Sequence, residues 1–269
     1  MITSANNQQV KNVIQLNQRA KARREQGLFA AEGRKMFLEA PRSWIHQVFV
    51  SESLAGDQEL MSRMAGLPAE VVADPVFGKM CDTQTPQGIL TVLRKPSYTM
   101  EALLKKKNPL LVILEDLQDP GNAGTIFRTG EGAGVSGVFL TKNSVDITNP
   151  KVIRATMGSI YRMPFLYVEN VVYLKQELER RGIRTFAAHL LGKKDYDQED
   201  YLGGSAFFIG NEGNGLTQEA AEAADCLVRI PMEGEVESLN AAMAAGILMY
   251  EAARQRRSRL LGAGTADRL

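Results

Sequence analysis

Two cysteines and two histidines in 269 residues leave little with which to bind a metal or staple a fold. Cys81 and Cys226 stand far apart with no Cys-x-x-Cys around either, so neither a metal site nor a disulfide framework is expected, only two reduced thiols. Long apolar runs are missing too. The longest, Ala241 to Tyr250, is ten residues rich in alanine, against the roughly 20 strongly apolar ones that a membrane-spanning helix needs. Met1 to Gln8 carry no basic run leading into an apolar stretch, so no secretory signal is expected and the protein should be cytoplasmic, without a membrane partner. Aromatics are sparse at 7%, but 44% hydrophobic and 23% charged residues describe an ordinary globular chain, long enough for two domains with a core each.

An excess of one charge is also lacking, since the net charge is only +1. The average hides a local cluster. Residues 1–40 hold Lys11, Arg19, Lys21, Arg23, Arg24, Arg34 and Lys35 against Glu25, Glu32 and Glu39, an excess of four positive charges on sequence with helical spacing. Such a patch suits phosphates, and it equally describes a solvated helix face.

Residues 10–40 read as helical, followed by short strands at 48–50, 71–73 and 89–93, a small α/β domain over residues 1–98. From Arg94 to Pro109 the sequence combines charge, the prolines Pro96 and Pro109 and little core-forming material, which places the boundary there with 99–108 as a linker. From 109 to 269 the pattern becomes regular. Strand candidates at 110–114, 138–141, 165–168, 185–189, 206–209 and 226–230 alternate with helical stretches at 123–132, 150–158, 171–181 and 218–224. That alternation predicts an α/β domain with a mostly parallel sheet flanked by helices, whose chemistry belongs in the loops after the strands.

Gly132-Ala133-Gly134-Val135-Ser136-Gly137 matches the dinucleotide fingerprint by letters, but it follows a helix and enters a strand. Phosphate needs the opposite order, so these glycines read as a helix end and a turn. Three other segments do follow strands. In Asp119-Pro120-Gly121-Asn122-Ala123-Gly124-Thr125-Ile126-Phe127-Arg128, Asn122 is expected to cap a helix, with Arg128 less than two turns further on. Arg128 is then either a surface ion-pair partner or a member of a site. Gly210-Asn211-Glu212-Gly213-Asn214-Gly215 is either a flexible connection or a close approach of backbone to ligand. Its carboxylate repels phosphate and suits a neutral or cationic ligand. In Ile230-Pro231-Met232 through Ser238-Leu239-Asn240, Ser238 is expected to cap a last helix reaching Arg257. Leu239, Met243, Ile247 and Tyr250 give that helix an apolar face for core or homodimer packing.

Taken together and in this order, Asn122-x-Gly124-x-x-x-Arg128, the glycine segment and Ile230-Pro231-Met232 through Asn240 resemble the three signature motifs of SpoU/TrmH methyltransferases of the SPOUT superfamily. Asn149 to Ser159 is similar to the family's linking segment, with Thr156 in place of an expected serine. The resemblance implies a deep trefoil knot and transfer of a methyl group from S-adenosylmethionine to a ribose 2′-hydroxyl of RNA. It places the cofactor against Leu190, Gly210, Asn211, Gly215, Ile230, Met232 and Leu239. It implies that Arg128 handles the hydroxyl, that Asn122 orients ribose or Arg128, that Glu212 fixes Arg128, and that Ser238 and Asn240 shape the pocket. Because a guanidinium stays protonated in proteins, Arg128 reads as a clamp for phosphate and alkoxide rather than a proton acceptor. The N-terminal part, with Phe29-Ala30-Ala31-Glu32-Gly33 and Thr85-Pro86-Gln87-Gly88, is similar to the substrate-binding domain of ribosomal-RNA 2′-O-methyltransferases. Ribosomal RNA is therefore the expected partner, ahead of transfer RNA, and the chain is expected to pair as a homodimer through its last helix. The alternatives are base methylation on the same fold and an RNA-binding assembly protein without turnover.

Overall fold

The computed structural model describes residues 1–266, with side chains through Arg259. The chain opens with α1 (Gln8–Gln18), α2 (Ala20–Gln26), β1 (Leu28–Glu32), α3 (Arg34–Glu39), β2 (Ile45–Ser51), α4 (Gln58–Met64), β3 (Ala69–Val72), α5 (Asp74–Met80) and β4 (Ile89–Arg94). There follow α6 (Met100–Leu103), β5 (Leu110–Leu114), α7 (Pro120–Ala133), β6 (Gly137–Thr141), α8 (Pro150–Thr156), β7 (Phe165–Val168) and α9 (Val171–Glu179). The chain ends with β8 (Arg184–Ala188), β9 (Lys194–Asp195), β10 (Ser205–Ile209), α10 (Gln218–Ala223), β11 (Cys226–Arg229) and α11 (Ala241–Ala266). Two compact units divide these elements, Met1–Ser97 with Asp146–Tyr161, and Tyr98–Val145 with the described chain from Arg162 onward.

The first unit is a four-stranded sheet in the order β1-β4-β2-β3, antiparallel except for the β2/β3 pair. Asn7 caps α1 by accepting from the Gln9 amide, and Val10, Val13 and Leu16 bury its apolar side among Phe49, Phe77 and Leu90. Continuous helix over 10–40 is not what forms. Gly27 at φ 62° ends α2 and Gly33 at φ 113° ends β1, so the Leu28–Glu32 strand stands between two left-handed turns. The basic cluster is also smaller than its charge count suggests. Arg23 is buried, with its Nε 2.8 Å from Asp146 and its Nη1 donating to the Leu16 carbonyl at 2.7 Å. Arg34 is held by Asp57 and Glu59, while Lys21 and Lys35 each face a glutamate one turn away. Lys11, Arg19 and Arg24 remain exposed and without an ion pair among the described residues.

The expected boundary shifts at two places. Asp146–Tyr161, assigned by its sequence to the second domain, belongs to the first unit. Asp146 meets Arg23, Arg154 donates to Asp82 at 2.6 Å, and the Tyr161 hydroxyl donates to the Met36 carbonyl at 2.9 Å. Much of the expected linker is likewise packed structure. Thr99 caps α6, and Leu103 is buried in the core of the second unit, tight against the position where Gly137 lacks a side chain.

That second unit carries seven strands in the order β7-β6-β5-β10-β8-β11-β9, every adjacent pair parallel. Leu111, Ile113, Phe139, Ala206 and Phe208 share one apolar cluster with Leu174 and Leu178 of α9. By strand alternation Val112, Phe186 and Phe207 face the other side, where α11 packs on β10, β5 and α7. Four adjacent strands of the middle, β5, β10, β8 and β11, therefore send their C-terminal loops to the same edge. Among the described residues no helix is long and apolar enough to cross a membrane.

Candidate functional site

Helix α7 begins one turn earlier than Asn122 would have it. Asp119 is the N-cap, accepting from the Asn122 amide at 2.7 Å, and Pro120 takes the first helical position, where a missing N–H costs nothing. The Asn122 side chain is thereby released from capping. Its Nδ2 donates to Glu212 at 3.0 Å, and its Oδ1 accepts from Asn240 Nδ2 at 2.9 Å. Asn240, not Ser238, caps α11, accepting from the amides of Ala242 at 2.9 Å and Met243 at 3.3 Å. Ser238 lies before the helix, exposed in the loop. Three residues from three distant sequence segments thus form one hydrogen-bonded row.

Glu212 also departs from its expected role. Rather than holding Arg128, it accepts from the backbone amides of Gln118 at 3.1 Å and Asp119 at 2.9 Å, where the positive end of α7 favours a carboxylate. Burial pushes the Glu212 carboxyl upward, but the bonds from Asn122, Gln118 and Asp119 outweigh it and hold the group below the usual carboxylate range. Arg128 is exposed and makes no hydrogen bond or ion pair among the described residues, so it is not a surface salt-bridge partner either. It lies six residues beyond Asn122, about 9 Å along the helix axis.

Beside this row opens a cavity of about 360 Å³. Leu190 comes from the loop after β8, Gly210, Asn211 and Gly215 from the loop after β10, and Ile230, Met232 and Leu239 from the loop after β11, so every residue expected at the cofactor lines it. Glu212 and Ser238 line it too, whereas Arg128, Asn122 and Asn240 do not. Asn211 acts on protein rather than pointing freely inward: its Nδ2 donates to the Asp116 carbonyl at 2.9 Å, and its Oδ1 accepts from the amides of Gly213 and Asn214. At Gly210 a Cβ would stand 2.2 Å from the Gly215 carbonyl carbon, and at Gly192 one would stand 2.7 Å from the Arg229 nitrogen. Only glycine lets these loops approach so closely.

The lining suits an adenosyl sulfonium. Its one arginine, Arg229, is turned onto Asp195 at 3.0 and 2.9 Å, and no lysine lines it, so a polyphosphate finds no free cation. Leu190, Ile230, Met232 and Leu239 offer apolar surface to a flat ring, and the exposed backbone of the glycine loop offers donors and acceptors. Sequence reasoning missed Glu115, Gln118 and Asp119, which build the loop after β5. The Asp-Pro pair was a legible signal for Asp119, being a cap followed by proline at the first helical position.

Residues 109–250 match the model of the SpoU rRNA Methylase family, and residues 7–91 match that of the MRM3-like substrate binding domain. An uncharacterized tRNA/rRNA methyltransferase of Synechocystis is 33% identical over 94% of this chain and 93% of its own. The 23S rRNA (guanosine(2553)-2′-O)-methyltransferase RlmP of Bacillus subtilis is 30% identical over 93% of this chain and 97% of its own. A solved AdoMet-bound rRNA methyltransferase of Sinorhizobium meliloti, 30% identical, aligns with a TM-score of 0.81 over 94% of this chain and 97% of that one. With a parallel sheet whose central loops gather Asn122, Glu212 and Asn240 beside a cavity lined by both remaining signature segments, the chain belongs to the SpoU rRNA methylase family.

Proposed function

We propose that this chain transfers the methyl group of S-adenosylmethionine to a ribose 2′-hydroxyl of ribosomal RNA in the cytoplasm. The observation that carries the proposal is the Asn122–Glu212–Asn240 row at the edge of the cavity, with an unpaired Arg128 on the same helix as Asn122. When bound, the cofactor supplies an electrophilic methyl group on a sulfonium. The residues of the chain supply position and charge. Asn122 keeps one amide hydrogen and one lone pair beyond its two protein bonds and orients the ribose with them. Arg128, with five donors uncommitted, clamps a phosphate and the alkoxide that develops on the 2′-oxygen, while water or that phosphate takes the proton. Glu212 and Asn240 are positioning residues for Asn122, and Ser238 closes the cavity wall. The ribosomal substrate is supported by the acceptor in the RlmP name and by the match of residues 7–91 to a substrate binding domain.

A trefoil path through the second unit belongs to the same proposal. Sub-3 Å approaches of backbone to the missing side chains of Gly192 and Gly210 support it. Homodimerisation through α11 is supported by Met243 and Tyr250, which are 60% and 46% exposed on a helix whose Ala245, Leu248 and Met249 are buried. Of the apolar face expected from the sequence, Met243 and Tyr250 are thus uncovered, while Leu239 and Ile247 are half-buried. Single-turnover methylation by Arg128→Ala tests the mechanism. A fall of at least roughly a hundred-fold is expected, with cofactor affinity unchanged because Arg128 does not line the cavity. An unchanged rate in folded protein removes Arg128 from the reaction.

A further inference from the structure

Glu115 is a buried carboxylate, 5% exposed, with no cation beside it among the described residues. A polar side chain in that position needs hydrogen bonds in compensation for lost solvation. It has two, and both reach the same residue: Oε2 accepts from the Thr217 amide at 2.9 Å, and Oε1 accepts from the Thr217 hydroxyl at 2.7 Å. Thr217 already caps α10 through its own hydroxyl, which accepts from the Ala220 amide at 3.1 Å. Capping alone therefore does not account for a carboxylate from another strand.

Chain geometry does account for it. The Glu115 amide donates to the Ile209 carbonyl at 2.9 Å. Ile209 immediately precedes Gly210, and Thr217 immediately follows Leu216, so one residue grips both ends of the glycine loop that lines the cavity. The loop returns the grip, because Glu212 near its tip binds the amides of Gln118 and Asp119, three and four residues after Glu115. Asn211 adds a third tie to the Asp116 carbonyl. Two carboxylates thus run in opposite directions between the same two loops.

We propose that Glu115 is a positioning residue for cofactor binding, closing the neck of the 210–216 loop so that its backbone is already arranged when the adenosyl ligand arrives. The proposal rests on the methyltransferase function above. A loop with glycine at 210, 213 and 215 loses much conformational entropy on ordering, and a closed neck moves that loss from binding to folding.

The test titrates S-adenosylhomocysteine calorimetrically into full-length wild type, Glu115→Gln, Thr217→Val, Thr217→Ser and the Glu115→Gln/Thr217→Val double variant, with Tm measured for each. Glu115→Gln keeps shape but replaces one acceptor with a donor. Roughly ten-fold weaker binding is expected for Glu115→Gln and Thr217→Val, near wild-type binding for Thr217→Ser, and no further loss in the double variant. In turnover the loss should fall on KM for the cofactor and leave kcat near wild type. Wild-type affinity in folded Glu115→Gln or Thr217→Val overturns the proposal, as does a lower Tm with unchanged affinity, which marks a purely structural contact. Should Glu115→Gln not fold, the Thr217→Val and Thr217→Ser pair decides alone, equal affinity in the two overturning the neck closure. No binding by wild-type protein is a different result and contradicts the methyltransferase function itself.

Discussion

Gly210 shows how little freedom the cavity leaves to a single residue. Its missing side chain would collide with the backbone of Gly215 and with the Leu216 nitrogen at 2.3 Å, and backbone held by the Asn211–Gly215 bridge cannot step aside cheaply. Gly210→Ala should therefore abolish detectable cofactor binding in calorimetry, whereas Gly213→Ala, whose added carbon meets only Asn211 Oδ1 at 3.6 Å, should bind within roughly three-fold of wild type. Equal effects of the two would contradict the packing described. At this scale the three signature segments were legible from the letters because their residue types are specific. Which atom met which was not. Asn122, Ser238 and Asn240 are all good capping residues, and only the fold decides that Asp119 and Asn240 cap while Asn122 bridges. Glu212 likewise faces backbone amides, partners that no side-chain pattern advertises.

Single elements were readable where periodicity was clean and unreadable where sequence-distant charges decided. The apolar runs of β5, β6, β7 and β10 announce buried parallel strands. By contrast Leu28–Glu32 contains alanines that suit a helix, and only its flanking glycines mark the turns that make it a strand. The segment from Asp146 joins the first unit through an ion pair with Arg23, a residue 123 positions away. Removing that carboxylate leaves a buried guanidinium unpaired, so Asp146→Asn should lower stability by about 3 kcal/mol in denaturant unfolding. Burial pushes the Asp146 carboxyl upward, but bonds from Thr148 and Arg23 outweigh it and hold its pKa below that of the unfolded chain. The pair's contribution is then complete above the ordinary aspartate pKa and is lost as pH falls through the depressed one. The difference between wild type and Asp146→Asn should be constant from pH 5 to 8 and shrink below about pH 4. A difference that shrinks instead toward pH 8 would rule out this origin.

For the molecule as a whole, alternation of strands and helices gave the parallel sheet, while strand order was beyond it. β10 lies between β5 and β8, an arrangement set by where the chain returns and not by any local preference. The same sheet brings the loops of its four central strands to one edge, which is why segments far apart in sequence share a cavity. Exposed Met243 and Tyr250 on α11 carry the dimer prediction. Light scattering should give twice the chain mass for wild type and the single-chain mass for Met243→Glu, because a charge cannot be buried unpaired in an apolar contact. A single-chain mass for wild type would leave that face without a second copy.

The most direct measurement is incubation with radiolabelled S-adenosylmethionine and separately purified large-subunit ribosomal RNA, small-subunit ribosomal RNA and transfer RNA lacking the modification, followed by mapping of alkali-resistant linkages. Methyl label at one alkali-resistant linkage in a ribosomal RNA is the predicted result, since a blocked 2′-oxygen prevents strand scission. Label on RNA that alkali still cleaves at every linkage would contradict ribose methylation, and label confined to transfer RNA would contradict the ribosomal substrate.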